Sequence, residues 1–322
     1  MRLERQDTFT LYPIPPFHFE GTFHKPSYFP NKLKMSDWEP SRYWQSLRVG
    51  KRLYGLEIEN KGTATGPKLT ARVYSDRDVT EEERGELRRE IIWRFELDVD
   101  LTEFIELTEN DTRFYPVFTK WMGMRNSGPN TLYELLIIAI VLQNATVRRS
   151  QQMLDTLLEK YGIKLEFDEK ELWAIWLPED LINVEEQELR DLKVGYRAKF
   201  IKRLSQEFVN GIIDEYRLRE LDEETAWKEL MKLYGVGPET ARILLFEAFH
   251  RYDVFDHIAP WQQKIYSRLF YGEELVSVDK IRDDIMRQYG KYSMLAVHYI
   301  WEDIFWKRKS ERIEWLEKEI RL

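Results

Sequence analysis

Residues 233–242 read Leu233-Tyr234-Gly235-Val236-Gly237-Pro238-Glu239-Thr240-Ala241-Arg242. Two glycines two residues apart interrupt an otherwise helical pattern, with Thr225 to Lys232 before them and the apolar run Ile243-Leu244-Leu245-Phe246 after them. A tight turn that exposes backbone N–H groups and opens a new helix is what a helix-hairpin-helix loop requires. Such a unit, over about residues 226–248, can hold a DNA phosphate without reading a base. Its donors are backbone amides of the stretch Gly235, Val236, Gly237, Glu239 and Thr240, and a helix N-terminus favours an anion. The same residues also suit an ordinary helix–helix turn that uses glycine for positive φ.

About a dozen residues past Ala241 lies Asp253-Val254-Phe255-Asp256-His257-Ile258, ahead of another helical stretch, Trp261 to Leu269. An LxGVGxxTA pattern, a short helix and then an aspartate ending a hydrophobic connection resembles the HhH-GPD superfamily of DNA glycosylases, in its AlkA/OGG-like two-domain form. The resemblance covers residues 80–310 well and 8–79 weakly. It implies an α+β protein: a small N-terminal antiparallel-sheet α/β (TBP-like) domain over 1–79, a mostly α-helical core over 80–310, and a C-terminal helix over 311–322. It also implies a hairpin that grips the DNA backbone and an aspartate in the mouth of a base pocket.

A chain of 322 residues is long enough for two or three packed units. Its 43% hydrophobic content comes without an apolar run near the ~18 residues of a membrane helix, so a soluble globular protein with no membrane partner is expected. Met1-Arg2-Leu3-Glu4-Arg5 has no hydrophobic signal core. A cytoplasmic location follows, at the nucleoid if the source is prokaryotic. Cysteine is absent, which excludes disulfides, zinc–thiolate sites and a Cys-ligated iron–sulfur cluster. The histidines, His18, His24, His250, His257 and His298, form no i,i+4 pair, so no metal site is expected. Abundant Glu, Lys and Arg together with zero cysteine suit a thermophile. The net charge of −8 does not exclude DNA, because only the contacting face need be basic. Residues 190–203, RDLKVGYRAKFIKR, carry six basic side chains against Asp191 alone, while acid collects in 81–90, 98–111 and 220–224. Charge is segregated.

Prolines at 13, 15, 16, 26, 30 and 40 break long helices near the N-terminus. Phe17-His18-Phe19 and Phe23 alternate as in a strand, and Arg52–Ile58 and Leu69–Tyr74 are strand candidates around the turn-rich 60–67. Ser41 to Gly50 is a helix candidate. The segment YPIPPFHFEGTF (12–23) is similar to the start of the α/β domain that precedes the core in the AlkA and 8-oxoguanine glycosylase subfamilies. From Thr80 the pattern turns helical, with a capping box at Thr80–Glu83 ahead of Leu87, Ile91, Ile92 and Phe95. Leu132 to Leu142 reads as a buried central helix ending at Gln143-Asn144-Ala145-Thr146, after which Val147-Arg148-Arg149-Ser150 opens the next. By position, the resemblance makes Asn144, with Gln143 second, the wedge that fills the hole left by a flipped nucleotide; amides also cap helices. Val194 to Phe200 is close to the family's GYRAxYI segment, with Tyr196 expected inward. Arg148 and Arg197 are candidates for the DNA backbone, although a solvated helix face explains such charges equally well. Helices are expected over 261–271, 277–289 and 291–308.

Removing a base breaks a C1′–N bond while positive charge develops on the sugar, after the nucleotide is flipped at a cost of a few kcal/mol. A carboxylate near C1′ stabilises that charge and activates water. Asp256 is the candidate and Asp253 the competitor, since the spacing to Arg268 exceeds the family's usual one by a few residues. An aspartate here also suits a helix N-cap, which would hold it fixed. Glu239 stands where bifunctional members carry the Schiff-base lysine, and a glutamate cannot form one. Lys232 and Lys264 could supply a displaced amine. Trp261, Phe255, Tyr115, Phe114 and Trp121 are candidates for an aromatic base pocket, Trp261 foremost. The expectation is a monofunctional, monomeric glycosylase acting on duplex DNA with damaged or modified bases. No cofactor is required, and a monovalent cation at the hairpin carbonyls is open. Its rivals are a bifunctional glycosylase/lyase and a non-catalytic hairpin DNA-binding protein.

Overall fold

Five strands form one antiparallel sheet in the order β1-β5-β4-β3-β2: β1 Arg5–Leu11, β2 Ser36–Glu39, β3 Arg42–Val49, β4 Arg52–Asn60 and β5 Leu69–Ser75. The structure, a computed structural model, describes residues 1–27 and 32–320. Positions 28–31 of the expected sheet domain and 321–322 of the expected last helix lie outside the described residues. One sheet face carries Phe9, Leu11, Leu47, Leu56, Ile58, Ala71 and Val73, and packs on α1 (Phe19–Phe23) and α2 (Glu81–Arg94) through Phe19, Phe23, Leu87 and Ile91. The other face meets a hairpin from much later in the chain, β6 (Ile163–Phe167) and β7 (Lys170–Ala174), through Trp44, Leu53, Leu165 and Phe167.

Two expectations fail here. Ser41–Gly50 is not a helix: β3 runs through it, with Tyr43 opposite Ile58 and Leu47 opposite Tyr54 on β4. Both faces of β3 are covered, so its side chains are buried almost continuously and the period-2 signal of a half-buried strand is lost. Conversely, Phe17-His18-Phe19 and Phe23 are not a strand. His18 caps α1 by accepting from the Gly21 N–H at 3.0 Å, and Phe19 and Phe23, four residues apart, pack as tilted rings 4.7 Å apart against the sheet.

The helical remainder forms two apolar clusters. The first joins α5 (Leu132–Leu142), α6 (Val147–Tyr161), α8 (Arg197–Val209), α10 (Glu223–Leu230) and α11 (Pro238–Phe249). Short helices α7 (Glu186–Leu189) and α9 (Glu215–Glu220) border it. The second joins α3 (Thr102–Glu109), α4 (Tyr115–Lys120), α12 (Pro260–Tyr266), α13 (Val278–Tyr289) and α14 (Ser293–Ser310). A last helix, α15, spans Glu314–Glu319. The capping box at Thr80 and Glu83 and the central helix at 132–142 are where the sequence places them. Buried Arg125 ties the pieces together, donating to the carbonyls of Glu96, Ile14 and Val99. The architecture is the expected α+β one, a sheet domain followed by a mostly helical core.

Val254 belongs to the first helical cluster, whereas Phe255 and Ile258 belong to the second. The connection that carries Asp256 therefore crosses the seam between them. That seam positions the site.

Candidate active site and DNA interface

The hairpin forms as read. Asp222 caps α10 by accepting from Thr225 N–H at 2.9 Å, and α11 opens at Pro238 with Gly237 as an N-cap that has no side chain to satisfy the first turn. The backbone N–H groups of Glu239 and Thr240 fall in that turn, where helix geometry supplies no carbonyl. Gly235 has φ +90, and a Cβ there would stand 3.0 Å from the Phe200 ring, so glycine is required by conformation and by contact. Val236 is buried in the first cluster and anchors the loop from below.

The end of α5 is locked to this loop. Gln143 Nε2 donates to the Gly235 carbonyl at 2.8 Å, which makes Gln143 a brace for the hairpin. Asn144 is exposed with φ 48, and its Nδ2 lies 3.4 Å from the Tyr196 hydroxyl. Tyr196 is 41% exposed, against the inward position expected for it. The left-handed residues Lys193 (φ 61) and Gly195 (φ 66) kink the entry to α8 and swing the ring outward. Arg197 is also not where a phosphate contact would be. It is buried, and its guanidinium donates to the carbonyls of Ile140 (3.1 Å) and Gln143, closing the C-terminus of α5. Arg148 is exposed in the first turn of α6. Lys199 and Arg203 stand over the Tyr234 ring at 5.5 and 4.0 Å, which extends positive charge from α8 onto the hairpin.

Asp256 is exposed and pairs with Arg242 on α11, whose Nη2 donates to Oδ2 at 2.7 Å while Nε meets Oδ1. It is not the cap of α12. That position is Ala259, with Gln262 accepting its N–H at 2.9 Å. The fixed geometry expected from capping comes instead from a two-point guanidinium contact. Asp253 faces away, toward Glu223 on α10. Burial, a hydrogen bond with Asp253 and the charges of Asp253 and Asp256 push the Glu223 carboxyl up to about 7. Glu239 sits on the first turn of α11 with His257 Nε2 at 3.1 Å from Oε2. Burial raises its pKa, His257 and Arg242 counteract, and Asp256 adds to the rise. The alternative amines are engaged elsewhere: Lys232 with Glu229 at 2.6 Å and Lys264 with Glu319 at 3.5 Å.

The aromatic candidates do not converge on one open wall. Trp261 is 46% exposed on the first turn of α12, edge-on to Trp301 at 5.8 Å. Phe255 and Trp121 are instead buried, the former against Tyr266 and the latter between His18 and Trp306 with its Nε1 donating to Asp303 at 2.9 Å. Tyr115 is exposed at the start of α4, beside a gap of about 10 Å³ lined by Phe104, Phe118 and Met122. Such a gap takes a single water at most. Phe114 packs on Phe270 at 5.5 Å. Sequence reasoning missed Arg242, His257 and the exposed Tyr196. The signal for Arg242 was its place one turn after Glu239 on the same helix.

The profile of the HhH-GPD superfamily base excision DNA repair proteins matches residues 137–320. A DNA-3-methyladenine glycosylase of Bacillus subtilis is 26% identical over 170 residues, which span 52% of this chain and 56% of the relative. The chain thus covers little more than half of that protein's length. A probable N-glycosylase/DNA lyase of Methanothermobacter thermautotrophicus is 23% identical over 66% of this chain and 73% of its own. Among solved structures, a 3-methyladenine DNA glycosylase from Archaeoglobus fulgidus superposes with a TM-score of 0.75 at 16% identity, over 95% of this chain and 99% of that one. The 8-oxoguanine glycosylase/lyase of Clostridium acetobutylicum, in complex with double-stranded DNA, gives 0.66 at 20% identity over 97% and 100%. At these identities the likeness is one of fold. More than half of the chain lies under the matching profile, and it belongs to the HhH-GPD superfamily of base excision DNA repair proteins.

Proposed function

We propose that this protein is a monofunctional DNA N-glycosylase that flips a damaged or modified base from duplex DNA and hydrolyses its glycosidic bond. The observation that carries the reading is the seam itself. The hairpin loop, the exposed Asn144 tip and the Asp256 connection are held together there by the Gln143–Gly235 and Arg242–Asp256 contacts. In this reading the backbone N–H groups of Gly237, Glu239 and Thr240 take a phosphate, while Arg148, Lys199 and Arg203 add non-specific attraction. Asn144 beside Tyr196 fills the vacated stack, and Trp261 borders the flipped base. The Asp256 carboxylate stabilises the sugar cation and accepts a proton from the attacking water. Glu239 offers no amine, so water is the nucleophile and an abasic site the product. No cofactor takes part, a monovalent cation at the hairpin carbonyls is compatible, and the protein works as a cytoplasmic or nucleoid-associated monomer.

The test uses end-labelled duplexes, each with one lesion, incubated with wild type or Asp256→Asn and worked up with and without hot alkali. Breaks only after alkali, lost in the variant, support the reading. Breaks without alkali point to a lyase lysine, which borohydride would trap.

A further inference from the structure

Expelling a neutral purine or pyrimidine as an anion is slow, and a proton delivered to a ring nitrogen removes much of that barrier. In the glycosylase reading Asp256 serves the sugar and does not provide it. A second carboxylate stands on the same seam. Glu239 lies on the first turn of α11, and its Oε2 is buried with no hydrogen-bond partner although His257 Nε2 is 3.1 Å away. Arg242, one turn further along, is committed to Asp256 through both Nε and Nη2 and leaves Glu239 without a guanidinium hydrogen bond. Two carboxylates thus share one seam in unlike surroundings, a division that fits one acid and one base.

Building on the glycosylase reading, we propose that Glu239 is the general acid, protonating the leaving base while Asp256 serves the sugar and the water. The C1′–N bond breaks with its electron pair going to the base, and the Glu239 O–H proton moves to a ring nitrogen of that base. Water adds to C1′ and loses a proton to Asp256. Net hydrolysis is complete once Asp256 returns that proton to solvent and Glu239 regains one. The groups facing Glu239 are Arg242 from α11, Asp256 and His257 from the connection, and Tyr266 from α12. Burial, the largest influence, favours the protonated form, and the Asp256 charge reinforces it against His257 and Arg242. Excision of a neutral base therefore falls as pH rises through the Glu239 pKa, whereas a base that is already cationic needs no acid and shows no such fall.

The experiment compares single-turnover release of hypoxanthine, a neutral base, with that of 7-methylguanine, which is cationic in DNA. The proteins are wild type, Glu239→Gln, Glu239→Asp and Asp256→Asn, each followed from the ordinary carboxylate range upward in pH. Glu239→Gln is expected to slow hypoxanthine release by about 10²–10⁴-fold, abolish its alkaline fall and leave 7-methylguanine release nearly unchanged. Glu239→Asp retains part of the hypoxanthine rate, and Asp256→Asn loses both. Equal slowing of the two bases by Glu239→Gln, or no slowing of either, overturns the assignment. If Asp256→Asn leaves both rates unchanged, the role given to Asp256 fails and the division of labour with Glu239 goes with it.

Discussion

Asp256 and Asp253 show what a sequence reveals about single residues and what it conceals. Both stand in one hydrophobic connection, and spacing alone could not choose between them. The structure sends Asp256 toward α11 and Asp253 toward α10, because the chain changes clusters between Val254 and Phe255. The hairpin was legible because its chemistry lies in backbone and glycine. The Arg242–Asp256 pair was not, since it joins side chains 14 residues apart. The Glu223–Asp253 contact has a consequence for stability. The folded-state pKa of Glu223, about 7, exceeds its ordinary 4.5, so the folded protein binds the extra proton within that window. Stability from this group is greatest below the lower value and falls as pH rises through the upper one. Glu223→Gln removes that loss. Its melting temperature relative to wild type should therefore climb between about pH 4 and pH 8, whereas a difference that stays level would show no proton uptake at this site.

At the scale of elements, errors fell where tertiary cover erased a periodic signal. β3 reads as a helix in the sequence because both its faces are covered, one by α1 and α2 and the other by a hairpin more than a hundred residues later. Gly55 on β4 records that cover: a Cβ there would meet the Phe167 ring at 2.4 Å. Gly55→Ala should cost about 1–3 kcal/mol in denaturant unfolding, as overpacked sites do. Paired with Phe167→Ala, which vacates the contact, the loss should be less than the sum of the single changes; strict additivity would mean the two do not touch. The α5–hairpin brace makes a second element-scale prediction. Gln143→Ala should lower affinity for undamaged duplex with little change in melting temperature, since a single hydrogen bond contributes only about 0.5–1.5 kcal/mol.

Across the whole molecule the net charge is −8, yet basic side chains gather along α8 and reach the hairpin at Tyr234. The sequence shows the segregation but not its placement, which depends on α8 packing beside α5 and the hairpin. It also implied that Arg197 belonged to the basic face, whereas the fold spends it on α5 carbonyls. Lys199→Ala and Arg203→Ala should each weaken binding to any duplex, and each should reduce the salt dependence, log Kd against log salt, by about 1. Arg197→Ala should act mainly on thermal stability. A reversal of those two patterns would place the DNA face elsewhere.

The most direct test of the central claim is the single-turnover rate of base release by Asp256→Asn and Asp253→Asn, measured beside wild type on one excised lesion with abasic product revealed by alkali. Asp256→Asn should lose about 10²-fold or more, as removal of a group that stabilises developing charge does, with Asp253→Asn close to wild type. Full activity in Asp256→Asn would contradict the account.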